Sequence, residues 1–207
     1  AVPGKVPAGD WRDYAWRWAL CHMLAHNPNY ATRFKPLAIS LMQGTQGVSF
    51  SSVYGPLAPQ ISFEYRLFLQ HMELGYRADL CAWQWNNKFR ILKSQQRAQA
   101  KIKARYSWQA SGVTLQQGTS YDLAATGTWA LEQDGSRYDA DGDDTGRGAL
   151  VGCVFRDYRL SSVMKLGKSA TFRAPSDGQL FLRCQDNLNA LGDNAGEIVV
   201  HLRRSPR

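Results

Sequence analysis

The sequence predicts a helical part followed by an antiparallel β-sandwich of about seven to eight strands. In the first hundred positions, apolar residues recur at intervals of three and four, as on one face of a helix. From Lys101 onward, apolar and polar residues alternate, as in a strand with one exposed face. Short runs of this kind, separated by Gly, Asp, Ser and Pro without a helical pattern between them, are typical of a sandwich.

Three helices are expected in the N-terminal part. The first spans residues 10–29 and has a possible cap at Asp10, and we expect its core face to hold Trp11, Tyr14, Trp18 and Cys21. The second runs from about Ala31 to Met42, although Pro36 fits a helix well only near its first turn. The third spans 62–75 and ends at Gly75, with a core face of Ile61, Tyr65, Phe68, Leu69 and Met72.

The strands are expected in the C-terminal part. The chain changes character around 94–97, so we predict a helical domain over 1–98 and a sandwich over 99–207. The predicted strands are 101–108, 112–118, 120–131, 148–155, 169–175, 178–186 and 196–204.

The net charge of +8 admits an acidic partner but does not require one. Part of the positive charge lies in the alternating stretch from Lys101 to Trp108, which is the pattern of a solvated strand face, so we do not expect nucleic-acid binding. The sequence contains no run of about 18 apolar residues, so no membrane span is expected.

The four cysteines do not form a C-x-x-C pair, which argues against a zinc ribbon or a thioredoxin-type site. In an oxidising compartment, Cys21 would pair with Cys81 and Cys153 with Cys184, each pair within one predicted domain. Buried free thiols are the alternative.

The stretch Cys184 to Glu197, CQDNLNALGDNAGE, gathers acidic and amide side chains between two predicted strands. Calcium takes six to eight oxygen ligands, and short loops rich in Asp, Asn and Gly supply them. We therefore predict a metal site at Asp186, Asp193 and Asn194, with Gln185, Asn187 and Asn189 as ligand-binding neighbours. The alternative is a turn in which these side chains bond their own backbone.

Residues from about 101 to 207 resemble the PA-I-like galactophilic calcium-dependent bacterial lectins. The resemblance lies in GVTLQQGTSYDLAATGTWA, GALVGCVF, SATFRAPSDGQLFL and QDNLNALGDNAGEIVVHL. In that family, a final loop of the form N-D-x-x-x-T-x-G-N-N-x-G binds calcium and sugar together. Asp186 matches the loop aspartate, Asp193 and Asn194 match the paired asparagines, and Gly192 and Gly196 match the glycines.

Two positions depart from the family pattern. Ala190 stands where the family has a calcium-binding threonine, so one ligand position is lost unless Asn189 or water fills it. The loop between Trp129 and Gly148 lacks a counterpart of the sugar-contacting His and Gln, so galactose specificity is not implied.

Two further groups are weaker metal candidates. Asp139, Asp141 and Asp143 form an acidic loop in which Gly142 falls at the wrong position for an EF-hand, so we expect a solvated loop neutralised by an ion or by Arg137 and Arg147. His22 and His26 are spaced to share one helix face and could chelate zinc, with Glu64 or Glu73 as a third ligand. Met23 stands where a zinc protease has its catalytic Glu.

The resemblance implies a secreted carbohydrate-binding protein, extracellular or periplasmic, that uses calcium. The alternative is a non-catalytic interaction module that keeps the lectin fold without its site, as the C-terminal part of a larger protein. Residues 1–98 faintly resemble the helical tail of bacterial zincin-like proteins. The sequence shows no nucleophile elbow, phosphate loop or dinucleotide fingerprint, so we do not expect an enzyme.

Overall fold

The structure is a computed structural model that describes residues 11–133 and 135–206. Two compact units divide the chain, one ending at Gln70 and the other beginning at His71. The first unit is helical and the second contains the strands, as the sequence predicts.

From residue 11 onward, where the structure describes it, the helical unit contains four α-helices: α1 Trp11–His26, α2 Ala31–Met42, α3 Phe50–Tyr54 and α4 Ala58–His71. Helix α2 has the predicted bounds and accommodates Pro36 inside it. Helix α3 was not predicted, because it is only five residues long. It begins at a capping box in which the Ser49 hydroxyl accepts from the Ser52 amide at 3.0 Å.

The core of the helical unit differs from the predicted helix faces. On α1, Ala19, Met23 and Leu24 are buried, whereas the aromatic face predicted to be core is exposed. On α4, Ile61 and Phe68 are buried as predicted. Many aromatic residues crowd α1, so apolar spacing alone did not identify the buried face; the exposed residues are Trp11, Tyr14, Trp16, Trp18 and Cys21.

Buried polar groups also organise this unit. The Glu64 carboxylate on α4 accepts hydrogen bonds from Asn27 Nδ2 at 2.6 Å, Tyr30 Oη at 2.7 Å and Asn29 Nδ2 at 3.0 Å. The Tyr54 hydroxyl donates to the Tyr30 carbonyl at 2.9 Å. These contacts tie the turn between α1 and α2 to α3 and α4.

In its described residues, the second unit contains eleven strands, four of them only two residues long. Their bounds are β1 Arg90–Ile91, β2 Arg97–Lys103, β3 Gln109–Leu115, β4 Ser120–Ala130, β5 Arg137–Tyr138, β6 Leu150–Arg156, β7 Arg159–Leu160, β8 Met164–Lys165, β9 Ser169–Arg173, β10 Gly178–Cys184 and β11 Ala195–Arg204.

The strands form two sheets that pack face to face. One sheet has the order β1-β3-β10-β6-β7, with β8 also on β6; the other has the order β2-β11-β4-β5, with β9 also on β4. Side chains from both sheets, including Ile102, Tyr121, Leu180 and Ile198, form one buried cluster, so the sandwich is confirmed. The pairing is antiparallel except between β1 and β3, which run parallel.

Residues 71–98 belong to the sandwich unit, whereas the sequence analysis placed them with the helices. Trp83 is 2% exposed, and its ring lies 4.1 Å from that of Phe181 and 5.1 Å from that of Phe155, centroid to centroid. Leu92 lies in the core cluster, and β1 completes a sheet edge. The segment lacks strand periodicity because it packs as an irregular cover over the sheet.

Each of the four cysteines is in the thiol form, not in a disulfide: Cys21 is exposed, Cys81 is partly exposed, and Cys153 and Cys184 are buried. Burial raises the pKa of the Cys153 thiol to about 12. Across residues 11–133 and 135–206, the helices are too short or too polar to cross a bilayer.

Candidate functional site

The loop that the sequence predicts to hold a metal ion connects the two sheets. Residues 185–194 run from the end of β10 to the start of β11. A second loop, ending just before β6, is hydrogen-bonded to it: the Gly148 amide donates to the Gln185 carbonyl at 2.7 Å, and the Gln185 amide donates to the Ala149 carbonyl at 2.8 Å. Residues near positions 147 and 186 are therefore held together although they lie far apart in sequence.

Asp186 is the buried acid of this loop, with a side chain only 3% exposed. Its Oδ1 accepts from Arg147 Nε at 3.2 Å, and its Oδ2 accepts from Asn194 Nδ2 at 3.1 Å. Two of the three predicted metal ligands, Asp186 and Asn194, thus lie in direct contact.

The third predicted ligand is placed differently. Asp193 is exposed, whereas its neighbour Asn194 is 4% exposed. The Oδ1 atom of Asn194 is buried and has no hydrogen-bond partner among the described residues. Its Nδ2 atom also approaches the Ala104 carbonyl at 3.4 Å.

Arg147 joins the buried acid to the end of β4. Its NH1 group lies 3.0 Å from Glu132 Oε1, in addition to the contact with Asp186. Hydrogen bonds to Asp186 and Glu132 raise the pKa of Arg147, so the guanidinium stays charged.

Arg183 supports the same loop from inside the sandwich unit. It is 8% exposed, stacks over the Trp108 ring at 5.2 Å, and donates from NH2 to the Asp186 carbonyl at 3.1 Å. Burial lowers the pKa of Arg183, but a guanidinium remains protonated at neutral pH. The backbone and the side chain of Asp186 are thus each held by an arginine.

The three predicted ligand-binding neighbours have different environments. Gln185 and Asn187 line an open depression of about 210 Å³ together with Asp186 and with residues 145–147. Asn189 instead donates from Nδ2 to Glu73 Oε2 at 3.1 Å, so its side chain supports the loop. The Asn187 carbonyl accepts from the Ala190 amide at 3.1 Å and closes a turn.

The acidic loop at 139–144 is tied to its own backbone. Asp143 Oδ1 accepts from the Thr145 amide, the Thr145 hydroxyl and the Arg147 amide at 2.7–2.9 Å. Asp139 Oδ1 accepts from the Asp141 amide at 3.0 Å, and its Oδ2 lies 3.1 Å from Lys168 Nζ. These hydrogen bonds lower the pKa of Asp139 and of Asp143.

The positive groups near this acidic loop differ from the expected pair. The Lys168 ammonium group forms an ion pair with Asp139, and the Lys168 backbone amide donates to Asp141 Oδ1 at 2.8 Å. Arg147 contributes its backbone amide here while its guanidinium reaches Asp186. Arg137 instead donates to Thr128 Oγ1 at 2.9 Å.

His22 and His26 lie side by side on α1, with ring centroids 4.5 Å apart. The His22 ring also stacks with Trp18 at 5.2 Å and with Phe68 at 6.0 Å between ring centroids. The pKa of His22 is lowered mainly by burial and to a smaller extent by the nearby His26. Glu64, one expected third ligand, accepts three hydrogen bonds elsewhere. The pair is therefore part of an aromatic stack.

The arrangement around Asp186 does not fit calcium. Within the described residues, no group of three or more His, Cys, Asp or Glu side chains could hold a metal ion. Both oxygens of Asp186 are already bound by protein groups, and Ala190 offers no side-chain oxygen. Among the described residues, Asn194 Oδ1 is the buried side-chain oxygen without a partner, and one such oxygen falls far short of the six that calcium takes.

A wider groove, of about 400 Å³, crosses the second sheet beside Asp122, His201 and Arg203. Its carboxylate, Asp122, is bound by Thr171, Ser205 and Arg203 at 2.7–3.0 Å. We place the candidate site at the smaller depression, because there a buried acid and two arginines meet the polar side chains of the loop, Gln185 and Asn187.

Comparisons with known proteins find a match among solved structures alone. Neither a family model nor a curated protein matches the chain. A solved structure described as "EclA N-terminal domain; PllA-like lectin" aligns over 52% of this chain and 96% of its own, with 23% sequence identity and a TM-score of 0.43.

Sequence reasoning missed Arg183 and Glu132 and assigned Arg147 to the acidic loop. Arg147 lies 39 residues from Asp186, so no local spacing connects them. A basic residue just before the strand run GALVGCVF was the available signal, but its partner became visible only in the fold.

Proposed function

We propose that the sandwich unit binds a neutral carbohydrate in the depression between residues 145–147 and 185–187. The observation that carries the proposal is that the loop resembling the ligand loop of the lectins forms one wall of an open polar depression. Gln185 and Asn187 offer two carboxamides, which can donate to and accept from sugar hydroxyls. The Thr145 hydroxyl donates to Asp143 Oδ1, and its oxygen can still accept.

The charges favour a neutral ligand over an anionic one. Arg147 and Arg183 carry two positive charges, and Asp186 and Glu132 carry two negative charges within the same set of contacts. Since these four charges cancel, the site has no excess positive charge to offer a uronate or a sulfate.

Binding at this site should be weak. The six residues that line the depression include no aromatic ring on which a sugar could stack. Affinity therefore rests on hydrogen bonds, each contributing about 0.5–1.5 kcal/mol net. A millimolar dissociation constant corresponds to about 4 kcal/mol, which is within reach of such a site.

Calcium binding is predicted from the sequence resemblance, and it is tested separately from sugar binding. The sugar contacts proposed here use only protein groups. A calorimetric titration with calcium, made before any sugar is added, measures the ion on its own.

The experiment is a glycan array followed by NMR titration of the binding sugar, with calcium and with a chelator. Asn187→Ala removes a carboxamide that faces the depression and is expected to weaken binding about tenfold. Asn189→Ala is the matched control from the same loop, because its side chain is bound to Glu73. Equal losses in both variants, or shifts that map away from residues 145–147 and 185–187, would contradict the proposed site.

A second candidate is an interaction module that keeps the sandwich without sugar binding. Both oxygens of Asp186 are held by protein groups, which is the pattern of a loop closed for structural reasons. An array with no binding in either condition, from a protein that melts cooperatively, would favour this module.

A further inference from the structure

The Asp186 carboxylate needs a positive counterpart where it lies. Its side chain is 3% exposed, and a carboxylate removed from water is costly unless a cation and hydrogen-bond donors replace its hydration. The charge at this position must therefore be balanced inside the loop, either by a bound ion or by a side chain.

The structure contains such a side chain. Arg147 Nε lies 3.2 Å from Asp186 Oδ1, and Arg147 NH1 lies 3.0 Å from Glu132 Oε1. One guanidinium thus bridges two carboxylates that come from different segments of the chain. Bridging of separate acidic groups is also what a divalent ion does in a loop.

The backbone fixes Arg147 in place. Its amide donates to Asp143 Oδ1 at 2.9 Å, and its carbonyl accepts from the Asp143 amide at 2.8 Å. Two residues further on, the Ala149 carbonyl accepts from the Gln185 amide at 2.8 Å, which joins this turn to the loop of Asp186. The guanidinium is therefore aimed at Asp186 by two neighbouring connections.

The remaining carboxylate oxygen is bound by an amide. Asn194 Nδ2 donates to Asp186 Oδ2 at 3.1 Å, and Arg183 NH2 donates to the Asp186 carbonyl at 3.1 Å. Three protein donors thus occupy the oxygens that an ion at Asp186 would need.

We infer that Arg147 takes the place of a divalent ion in this loop: its guanidinium neutralises Asp186 and links residues 143–147, residues 185–194 and the end of β4 without a metal. Arg147 is then a positioning residue for the depression. This inference does not depend on sugar binding, because it concerns how the loop is held.

The test compares thermal unfolding of the full chain after chelator treatment and with millimolar calcium. The unmodified protein is expected to melt at the same Tm in both. A clear rise in its Tm with calcium, or a fall with chelator, would overturn the inference.

Arg147→Ala is expected to lower Tm by roughly 4–8 °C, because it leaves a buried carboxylate without its cation. Arg156→Ala is the matched control, since Arg156 also lies between two carboxylates, those of Asp157 and Asp177, but both are exposed. Its Tm is expected to change by about 1 °C or less. Equal effects of the two substitutions would overturn the inference.

A double-mutant cycle keeps the inference testable if Arg147→Ala folds poorly. Asp186→Asn removes the charge with little change in volume, and Arg147→Lys keeps a positive charge at the loop. Removing the charge of Asp186 is expected to abolish most of the Tm loss caused by Arg147→Lys. Additive losses would show that Arg147 does not act through Asp186, and would overturn the inference whether or not a sugar binds.

Discussion

Glu64 and Asp186 are the two acidic residues that the structure buries within its described part, at 5% and 7% exposure. Each is surrounded by donors from distant segments: Glu64 by Asn27, Asn29 and Tyr30, and Asp186 by groups including Arg147. A buried acid is kept only where such donors converge. At the scale of residues, each of these two acids therefore depends on donors that only the fold brings to it.

We predict that Glu64→Ala lowers the free energy of unfolding of the helical unit by about 3 kcal/mol, because three hydrogen bonds to a buried carboxylate are lost together. Chemical denaturation followed by circular dichroism at helical wavelengths measures the change. Asp13→Ala, at an exposed acid of the same unit, is the control and should cost less than about 1 kcal/mol. A loss at Glu64 no larger than at Asp13 would show that these bonds contribute little.

The candidate site shows how far single residues can be predicted from sequence. The composition of one loop singled out four residues that the structure brings near each other: Asp186 contacts Asn194, and Gln185 and Asn187 line the same depression as Asp186. The partner of Asn189 could not be found in this way, because Glu73 lies 116 residues earlier. Local composition identifies a polar loop, whereas the fold decides which side chain faces solvent.

At the scale of elements, α2 and the long strands followed from periodicity, since their apolar spacing reflects one buried face. The run from Leu150 to Val154 is buried throughout, and its position between turn residues indicated a strand. The buried face of α1 was wrong because large aromatic residues occupy several faces of that helix. Periodicity identifies a helix better than it identifies which side is covered.

Gly75 shows how the cover segment supports the functional loop. Its φ is +92°, and a Cβ built there would meet the Asn189 carbonyl oxygen. We predict that Gly75→Ala destabilises the sandwich unit by about 2–3 kcal/mol through backbone strain and this clash. Gly146→Ala is the control for the strain alone, because Gly146 lies in the same unit and has φ +85° and open space around it. Guanidinium denaturation measures the free energy of unfolding of both variants. Equal losses would mean that the Asn189 loop moves aside and the clash adds no destabilisation.

At the scale of the whole molecule, the boundary between units depends on packing that composition does not show. Residues 71–98 contain Trp83, Trp85 and Phe89, which pack with Phe155 and Phe181 on the sheet. Their spacing is neither helical nor alternating, so the sequence placed them with the preceding helices. The change in periodicity near residue 97 marks where strands begin, whereas the structural unit begins at His71.

This boundary makes a fragment of residues 71–207 the unit expected to fold alone, and a fragment of 99–207 should not. The shorter fragment loses Leu92 from the core cluster and uncovers Phe181, which is 0% exposed in the intact chain. Loss of one such large side chain costs about 2–5 kcal/mol. Losing Leu92 and Trp83 together approaches the whole stability of an ordinary domain, about 5–15 kcal/mol. Thermal melts followed by near-ultraviolet circular dichroism should show a cooperative transition for 71–207 only. If 99–207 melted cooperatively at a similar temperature, the aromatic cover would be an addition to a sandwich that folds without it.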